Sequence, residues 1–392
     1  MGERRLRAVP VVVAAWLSMK APRRFAEGGE EFLVVDGLEL RLTYPDRVLF
    51  AATGTTKADV IAYYTAVAGV MVPHLVGRLA TRKRWPDGVD GPSFFVKEVE
   101  SGIPVWLPRV QVAQRWGGKF YPVLDSAAAL AWLGQVSAIE VHVPQWRVLE
   151  PAGPIADPGT GLEVWADRVV FDLDPGEGAG LSECVEVAWA LRERLGPLGE
   201  RVVPVTSGSK GLHLYVPMDD PITSEQATAW ARLAAEQLER AFPALVISTM
   251  PKSARRGKVL VDWSQNTAVK TTIAPYSLRG RTRPTVAAPR TWAELAEPGL
   301  RQLEMAEVLE RVAGGLDPLA ALVDRPAAVA PQPVVRRERR ARPAVTVVGG
   351  RPGPCSGPGG VVGRVGRSGG RRARAGQRQG ARPAGVGRRQ PV

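Results

Sequence analysis

The sequence predicts an α+β protein whose second half forms a small sheet backed by helices, followed by a tail without regular structure. Between residues 168 and 262, apolar stretches with strand-like character alternate with two helical segments. Several of these strands end in, or carry, polar side chains, which favours a sheet with one face open for chemistry. Beyond residue 326 the chain is mostly Gly, Pro, Arg and Val without a hydrophobic period, a composition typical of disorder.

The first half reads as an N-terminal α/β module over residues 30–150, preceded by an extension at 1–29 that we expect to be disordered. Local signals place its elements with defined ends. They are short strands around the Asp36-Gly37 turn, a helix with Thr56 as N-cap and Asp59 three residues on, strand and loop material over 79–124, an Ala-rich helix capped by Asp125, and a strand at 139–143.

A Pro/Gly-rich linker at 151–160 separates this module from a second one, which we place at 151–315. Its predicted elements are strands at 168–173, 202–206, 212–216 and 258–262, helices at 182–195 and 224–241, the latter with a Thr223–Gln226 capping box, and a last helix at 292–312. The predicted disordered tail spans 326–392.

Charge is distributed unevenly along the chain. The formal net charge is +13, but from Pro326 onward there are 15 Arg, no Lys and one acid, so residues 1–325 are close to neutral. The basic composition is therefore no argument that the globular part binds nucleic acid. The two cysteines, Cys184 and Cys355, form neither a disulfide framework nor a zinc pattern, as expected of a cytosolic protein.

Length and sequence pattern argue against a signal peptide and against a membrane-spanning segment. The basic start followed by "AVPVVVAAWLSM" resembles a signal-peptide core, but it contains Pro10 and no A-x-A cleavage pattern follows. No apolar stretch reaches the roughly 18–20 residues that span a bilayer. We therefore expect neither a signal peptide nor a membrane anchor.

The stretch "VVFDLDPGEG" (169–178) places two aspartates at the end of a predicted buried strand. Strand side chains alternate, so Val169, Phe171 and Leu173 face a core while Asp172 and Asp174 share the other face. Two carboxylates on one face can share one or two divalent cations. The alternative is a strand end that opens into a solvated loop, which is the more frequent meaning of an isolated D-x-D.

A second polar segment, "VPVTSGSKGLHLYVP" (203–217), reads as strand, Gly-rich turn and strand. Ser207, Ser209 and Lys210 supply hydroxyls and an ammonium, and His213 lies on the open face. Backbone N–H groups around the turn's glycines can form an anion-binding concavity. The spacing is not that of a P-loop, and an ordinary hairpin turn is the alternative.

A third strand, at 258–262, ends in Asp262 and is followed by Lys270, Arg279 and Arg281. Asp262 can complete a three-carboxylate metal site whose cations hold a polyphosphate. Taken alone, the segment is equally a basic solvated loop. His142, in "IEVHVPQWR", is more often a structural histidine than a functional one unless its strand lies beside the acids.

"RKRWPDGVDGPSFFVK" (82–97) mixes basic and aromatic residues, as surfaces that bind single strands or DNA ends do. Its "WPDG" invites comparison with the K-x-D-G of adenylating ligases. The required lysine is missing, so that interpretation is rejected.

Taken in order, six motifs resemble one family. "LTYPDRVLF…GTTKADVIAYY", "KRWPDGVDGPSFFVK", "IEVHVPQWR", "RVVFDLDPGEG", "TSGSKGLHLYVP" and "VDWSQNTAVKTTIAPYSLRGRTRPTV" are similar to the polymerase domain of bacterial DNA ligase D, a member of the archaeo-eukaryotic primase superfamily that acts in non-homologous end joining. The resemblance covers about residues 30–300. It implies a primase-like catalytic core with an RRM-like antiparallel sheet and backing helices.

The resemblance also implies roles for residues that match the family's motifs. Asp172, Asp174 and Asp262 match its metal-binding catalytic acids. Nucleotide-binding positions are matched by Ser207, Ser209, Lys210, His213, His142, Lys270, Ser277 and Arg279. Positions that recognise the 5′-phosphate and template of a DNA end are matched by Arg47, Lys57, Phe95 and Lys97, with Arg47 standing where some relatives have Lys.

The expected activity is therefore DNA-end-joining primase-polymerase chemistry with two ions of Mn²⁺ or Mg²⁺ and a tendency to insert ribonucleotides. Because no ligase or phosphoesterase domain is recognisable after residue 300, we expect a separate DNA ligase and a Ku-type end-binding protein as partners, in the nucleoid region of the cytoplasm. Two alternatives remain: a non-catalytic module that binds or bridges DNA ends, and a metal-dependent nuclease or phosphohydrolase.

Overall fold

A computed structural model describes residues 23–25, 31–114, 117–148, 155–156, 164–249 and 251–323. The predicted disorder of the tail at 326–392 lies outside these residues, as does most of the extension at 1–29. Within that extension, Arg23–Phe25 forms a strand that pairs antiparallel with Glu31–Val35, so the expectation of disorder is wrong there. No helix among the described residues is both long and apolar enough to cross a membrane.

The elements follow in chain order. The strands are β1 Arg23–Phe25, β2 Glu31–Val35, β3 Leu38–Leu42, β4 Val48–Phe50, β5 Thr55–Thr56, β6 Thr81–Arg84, β7 Phe94–Val96, β8 Arg109–Gln114, β9 Gly117–Pro122, β10 Ala138–Val143, β11 Trp146–Arg147, β12 Ile155–Ala156, β13 Trp165–Pro175, β14 Val203–Thr206, β15 Leu212–Thr223, β16 Val246–Ile247, β17 Val259–Asp262, β18 Thr272–Ile273 and β19 Ala288–Pro289. The helices are α1 Lys57–Ala66, α2 Ala68–Met71, α3 Ala127–Gln135, α4 Leu181–Arg194, α5 Ser224–Ala241, α6 Trp292–Ala296 and α7 Met305–Ala313.

Helix starts follow the capping signals in the sequence, with one exception. Thr56 Oγ1 accepts the Asp59 N–H at 3.2 Å and the Asp59 carboxylate accepts the Thr56 N–H at 2.8 Å, so the predicted capping box opens α1. Helix α3 is capped by Ser126, whose Oγ accepts the Ala129 N–H at 3.2 Å, and not by Asp125 as predicted. Both residue types suit an N-cap, so the pattern alone fixed the helix start only to within one position.

The central sheet has the strand order β16-β17-β13-β15-β14-β19, and β11 pairs with the first residues of β13. Every pairing is antiparallel except that of β16 with β17. The antiparallel catalytic sheet predicted from the sequence is therefore present, with β13 at its centre. A second antiparallel sheet has the order β18-β10-β6-β7.

Both faces of the central sheet are covered over most of its area. Val169, Phe171 and Leu173 pack with the apolar faces of α4 and α5, as alternation along the strand predicts. The opposite face is not open along its length, contrary to the prediction: Val170 and Tyr215 are buried in the core that includes α1 and α3. What remains accessible is the end of the sheet where Asp172 and Asp174 lie, because polar side chains replace apolar ones there.

Strand pairing crosses the predicted boundary near residue 150. β18, from the second half, pairs with β10 of the first, and β11 pairs with β13. The two predicted modules are thus joined by backbone hydrogen bonds. This joint brings the β10 segment carrying His142 toward the segment that follows β17.

The last predicted helix, 292–312, is wrong as a single element. It is two helices, α6 and α7, separated by Glu297–Glu304. Pro298 and Gly299, which has a φ of 84°, lie in the break. Pro lacks the N–H that would continue the helix and glycine is the residue that adopts a positive φ most readily, so α6 ends after five residues.

Candidate active site at the end of the central sheet

Three side chains predicted to belong to the site form a row across neighbouring strands. Asp172 on β13 lies directly opposite Asp262 on β17 and, on its other side, opposite His213 on β15. Directly opposed residues of antiparallel strands have Cβ atoms about 5 Å apart and project from the same face. The strand register therefore brings together two acids and a histidine that are up to 90 residues apart in sequence.

The two opposed acids share one hydrogen-bond donor, which the sequence did not single out. Gln265 Nε2 donates to Asp262 Oδ2 at 3.0 Å and to Asp172 Oδ2 at 3.4 Å. Gln265 belongs to a short 3₁₀ turn, Trp263–Asn266, that begins because Asp262 Oδ1 accepts the Ser264 N–H at 2.9 Å. One oxygen of each carboxylate thus faces a common point.

Asp174 is held differently from the other two acids. Its carboxylate pairs with Lys210 Nζ at 3.2 Å and with Arg255 Nη1 at 3.5 Å. Lys210 also donates to the carbonyl oxygen of Pro175 at 2.7 Å. Arg255 is a second residue that the sequence did not indicate, because it comes from a loop about 80 positions away.

The donor set fits a divalent cation for the pair Asp172 and Asp262. Their oxygens converge on an amide nitrogen, and carboxylate oxygens are the ligands that Mg²⁺ and Mn²⁺ prefer. Among the described residues, no three His, Cys, Asp or Glu side chains are already gathered as a ligand set. The structure therefore brings two of the three predicted acids together, while Asp174 pairs with Lys210 and Arg255.

Basic side chains lie around the acids and lower the pKa of Asp172. Burial alone would raise the pKa of Asp172, but His213, Arg279 and Lys270 outweigh it and hold that pKa below its ordinary value. His213 Nε2 lies 3.3 Å from Asp172 Oδ1, and Lys270 Nζ lies 3.9 Å from Asp262 Oδ2. Lys270 also contacts the Ser264 hydroxyl.

The Gly-rich turn at 207–211 differs from the predicted backbone cradle. Ser207 Oγ accepts the N–H groups of Ser209 at 3.2 Å and Gly211 at 3.1 Å, and the Gly208 N–H donates to Gln302 at 2.6 Å. Because these three amides already have acceptors inside the protein, they do not form the predicted anion-binding concavity. The turn instead presents the side chains of Ser209 and Lys210.

Gly208 is required at its position in this turn. Its φ is 69°, and a Cβ there would lie 2.5 Å from Arg279 Cγ and 2.7 Å from the Val286 carbonyl carbon. A side chain would be both conformationally strained and in collision. The absence of one lets the turn lie against the segment that carries Arg279.

A buried carboxylate links two of the predicted nucleotide-pocket residues. Glu140 on β10 is hydrogen-bonded to His142 Nε2 at 2.8 Å and lies 3.5 Å from Arg279 Nε. Burial would raise its pKa, but His142 and Arg279 lower it to about 2. Burial lowers the pKa of His142 below its ordinary value.

Ser277 has a structural environment. It is fully buried, its Oγ accepts the Val141 N–H at 2.9 Å and it donates to the Leu278 carbonyl at 3.0 Å. These bonds fasten β10 to the segment before Arg279. Its assignment as a nucleotide contact stays a prediction, with a hydroxyl already engaged by the backbone.

The residues predicted to recognise DNA lie around α1 and the β6–β7 hairpin. Lys57 is buried with its ammonium on the carbonyl oxygen of Thr43 at 2.9 Å, and burial, with Arg47 and Arg84 nearby, lowers its pKa to about 8. Arg47 donates to the carbonyl oxygen of Pro86 at 2.7 Å and lies 3.5 Å from Asp87.

Phe95 and Lys97 are the other two predicted DNA contacts. The Phe95 side chain is 58% exposed. The Phe95 and His142 ring centroids lie 5.5 Å apart in a T-shaped arrangement, and the Lys83 ammonium lies 5.3 Å from the Phe95 centroid. Lys97 lines a cleft of about 100 Å³ together with Tyr121 and Trp146. An exposed ring beside a histidine offers a surface on which a base can stack.

Comparison with known proteins shows which family the chain belongs to. The family model described as "LigD, primase-polymerase domain" matches residues 56–319. LigD of Mycobacterium bovis, a multifunctional non-homologous end joining protein, is 57% identical over 304 residues, which is 77% of this chain and 39% of that protein. LigD of Bacillus subtilis, described as bifunctional, is 31% identical over 258 residues, covering 66% of this chain and 39% of the relative.

A solved structure supports the same assignment. The polymerase domain from Mycobacterium tuberculosis Ligase D in complex with DNA is 56% identical, with a TM-score of 0.67 over 73% of this chain and 99% of that domain. The chain spans 39% of the length of the full-length mycobacterial LigD relatives it matches. The chain belongs to the LigD primase-polymerase family, whose members are nucleotidyltransferases of bacterial non-homologous end joining.

Proposed function

We propose that this chain transfers nucleotides from (ribo)nucleoside triphosphates to a primer 3′-hydroxyl at DNA ends during double-strand break repair. The observation that carries the proposal is the register of the central sheet, which sets Asp172 opposite Asp262 and turns one oxygen of each toward the same Gln265 nitrogen. Two carboxylates facing one point on an accessible sheet end are what metal-assisted phosphoryl chemistry requires.

The proposed cofactors are two divalent ions, Mn²⁺ or Mg²⁺, held by Asp172, Asp174 and Asp262. When bound, such ions supply Lewis acidity that lowers the pKa of the primer hydroxyl and stabilises charge at the α-phosphorus. The protein's contribution is to exchange partners: Gln265 leaves the paired acids and Lys210 leaves Asp174. Lys210 is suited to this exchange because its side chain is 61% exposed.

The same exchange frees cations for the triphosphate. Lys210 and Ser209 on the turn, and Lys270 and Arg279 on the opposite side, place positive charge and hydroxyl donors around the acids. Phosphate oxygens accept hydrogen bonds only, so the charges of Lys210, Lys270 and Arg279 complement them. His213, held at Asp172, completes this set, and Ser207 shapes the turn through its two amide bonds.

Recognition of the DNA end is proposed for the region around α1. Lys57 and Arg47 are the candidates for the 5′-phosphate, and Phe95 with Lys97 for the template strand. The support is chemical: burial, with Arg47 and Arg84 nearby, lowers the Lys57 pKa, and a dianion placed beside these cations would be attracted by them. The exposed Phe95 ring suits base stacking.

The chain's partners follow from the chemistry. A polymerase that fills a break leaves a nick, so a DNA ligase activity must complete the repair, and we propose that it cooperates with a Ku-type end-binding protein on the nucleoid in the cytoplasm. The DNA that the solved mycobacterial domain holds supports DNA as a ligand.

The test is Mn²⁺-dependent extension of a labelled primer on a gapped, 5′-phosphorylated duplex, with ribonucleotides and deoxynucleotides compared side by side. We expect incorporation by the wild type and none above background by Asp172→Ala. Asp219→Asn, which removes a charge from an exposed part of β15, is the matched control and should retain wild-type rates.

Two outcomes would replace the proposal. A mobility shift on the same duplex without incorporation in either metal would indicate a DNA-end-binding or bridging module. Shortening of the labelled primer in the absence of nucleotides, lost in Asp172→Ala, would indicate a metal-dependent nuclease.

A further inference from the structure

Glu140 is a buried acid that the motifs leave without a function. Its side chain is 5% exposed, yet it lies on β10 two residues before His142 and beside the segment that carries Arg279. Burying a carboxylate is costly unless it is paired and hydrogen-bonded. Its partners therefore indicate what it does.

Each oxygen of Glu140 has a defined partner. Oε2 lies 2.8 Å from His142 Nε2, and Oε1 accepts the Gly280 N–H at 3.1 Å, with Arg279 Nε at 3.5 Å. The carboxyl is ionised at any pH at which the protein works, because its pKa is lowered to about 2. An ionised carboxylate has no proton to give, so His142 must be the donor in this bond.

The direction of this bond fixes the form of the imidazole. His142 is neutral at pH 7, since burial lowers its pKa. The charges of Arg279 and Lys83 lower this pKa further, while Glu140 raises it. A neutral imidazole carries one N–H, and here it must be on Nε2. Nδ1 is then left with a lone pair, and among the described residues none occupies it with a hydrogen bond.

We propose that Glu140 is a positioning residue of the nucleotide pocket that holds His142 as the Nε2–H tautomer, so that Nδ1 accepts a hydrogen bond from an O–H or N–H group of the incoming nucleotide. The inference deepens the proposed function and rests on it. This tautomer limits what His142 can contact. A lone pair on Nδ1 repels phosphate oxygens, but it can accept a hydrogen bond from a sugar hydroxyl or a base amino group. The exposed Phe95 ring, 5.5 Å from His142, lies where a base can stack beside that acceptor.

Glu140→Gln is the discriminating variant because it preserves shape. A glutamine can still accept the Gly280 N–H through its oxygen, but it then presents an NH₂ group to His142 and favours the Nδ1–H tautomer. With the acceptor replaced by a donor, we expect the nucleotide KM to rise roughly tenfold, the equivalent of about 1.4 kcal/mol, with kcat changed much less. Glu239→Gln on α5, whose carboxylate accepts the Ser248 N–H at 2.9 Å, is the control and should leave both parameters unchanged.

The direct readout is ¹⁵N NMR of the imidazole nitrogens in the full chain, which has only 3 histidines, so that His142→Gln assigns the signals. We expect a protonated Nε2 and an unprotonated Nδ1 for His142 in the wild type and the reverse in Glu140→Gln. An Nδ1–H tautomer or an imidazolium at pH 7 in the wild type would overturn the proposal, as would an unchanged KM in a folded Glu140→Gln protein.

Two comparisons complete the test. If the KM increase is confined to ribonucleotides, the donor is the 2′-hydroxyl; if it is equal for ribo- and deoxynucleotides, the donor is the 3′-hydroxyl or a group on the base. A wild-type protein that incorporates no nucleotide would contradict the proposed function while the NMR result on the tautomer stands. Active polymerase with the opposite tautomer would contradict only the present inference.

Discussion

The two ends of β13 carry charged side chains in contrasting settings. At the end near Asp167, that carboxylate contacts Arg78 and lies 2.5 Å from Arg147 Nε, while Arg168 donates to Gln145 at 2.7 Å. At the other end, the contacts of Asp172 and Asp174 with side chains in the described part of the chain measure 3.2–3.5 Å. The first end is closed by short, charge-assisted bonds, and the second is held by longer contacts that a ligand can replace.

The contrast between the two ends indicates that one end of β13 stabilises the fold and the other end carries the reactive side chains. Arg78 is fully buried and also donates to the carbonyl oxygens of Gln145 at 2.5 Å and Trp146 at 3.1 Å, so the guanidinium ties β11 to the sheet. At the open end the contacts are longer, and Gln265 divides one amide group between two carboxylates. Stability is therefore expected to reside at the Asp167 end and activity at the Asp172 end.

The largest effect is expected from Asp172→Asn, which breaks the open end. The change removes half of the converging pair, and a metal-assisted transition state loses several kcal/mol of charge stabilisation with it. At about 1.4 kcal/mol per decade, primer extension should fall by roughly a thousandfold or more. Steady-state extension rates, normalised to folded protein by circular dichroism, measure it, and a loss smaller than tenfold would contradict the assignment.

Asp167→Ala breaks the closed end and should act on stability instead. It leaves Arg78 and Arg147 without their carboxylate. Removing one partner of a buried pair costs about 3–5 kcal/mol, and because the Asp167 side chain is 30% exposed, we expect a loss at the low end of that range. Urea denaturation gives the free energy of unfolding. The rate per folded molecule should remain within a few fold of wild type, and an equal loss of rate would erase the distinction between the two ends.

The acid side of the stability curve sharpens the same comparison. Burial would raise the pKa of Asp167, but the three arginines hold it well below its ordinary value. A carboxyl whose pKa is lower in the folded state than in the unfolded state stabilises the fold at pH values above its unfolded pKa of about 3.9. This stabilisation is lost as the pH falls below that value toward the folded pKa. Asp167→Ala should therefore lose less stability than the wild type between about pH 4 and pH 2.

Gly208→Ala tests whether the open end depends on close packing of its turn. An alanine adopts a positive φ at a cost of about 1–2 kcal/mol, and the collision with Arg279 and Val286 adds about 1–3 kcal/mol. Gly257→Ala is the matched control, because its φ is 68° and nothing lies within 4 Å of the added Cβ. Equal melting temperatures for the two variants would show that the turn can move away at no cost.

The smallest effect is expected for the pH dependence of DNA-end binding through Lys57, which does not lie on β13. Lys57 has a pKa of about 8, so its charge is present below that pH and is lost as the pH rises through it. Affinity for a 5′-phosphorylated end, relative to a 5′-hydroxyl end, should fall a few fold between pH 7 and pH 9. Lys57→Arg should abolish this pH dependence, and an unchanged profile in that variant would exclude Lys57 as the titrating group.

Much of this comparison could be read from the sequence, because its signals are local. The alternation of Val169, Phe171 and Leu173 with Asp172 and Asp174 fixed the faces of β13, and the Thr223 capping box fixed the start of α5. Motif resemblance then predicted that the acids bind metal. These features depend on residues within a few positions of one another.

What was missed depends on the register of distant strands. Gln265 is recognised as a site residue only from the pairing of Asp172 with Asp262. Glu140 is recognised only from the contact between Gly280 and β10. The prediction of an anion-binding concavity at the Gly-rich turn is wrong because the amides of the turn donate to Ser207 and to Gln302, which is about 90 residues away. No local pattern reports such pairings, although a polar residue three positions after Asp262 was a usable hint.

The most direct measurement of the central claim is Mn²⁺ binding to the intact chain, followed by electron paramagnetic resonance of the free ion. The account predicts that the wild type removes Mn²⁺ from solution, that Asp172→Asn and Asp262→Asn each weaken this binding at least tenfold, and that Asp219→Asn does not change it. Equal Mn²⁺ binding by all four proteins would contradict the assignment of the open end of β13 as the metal site.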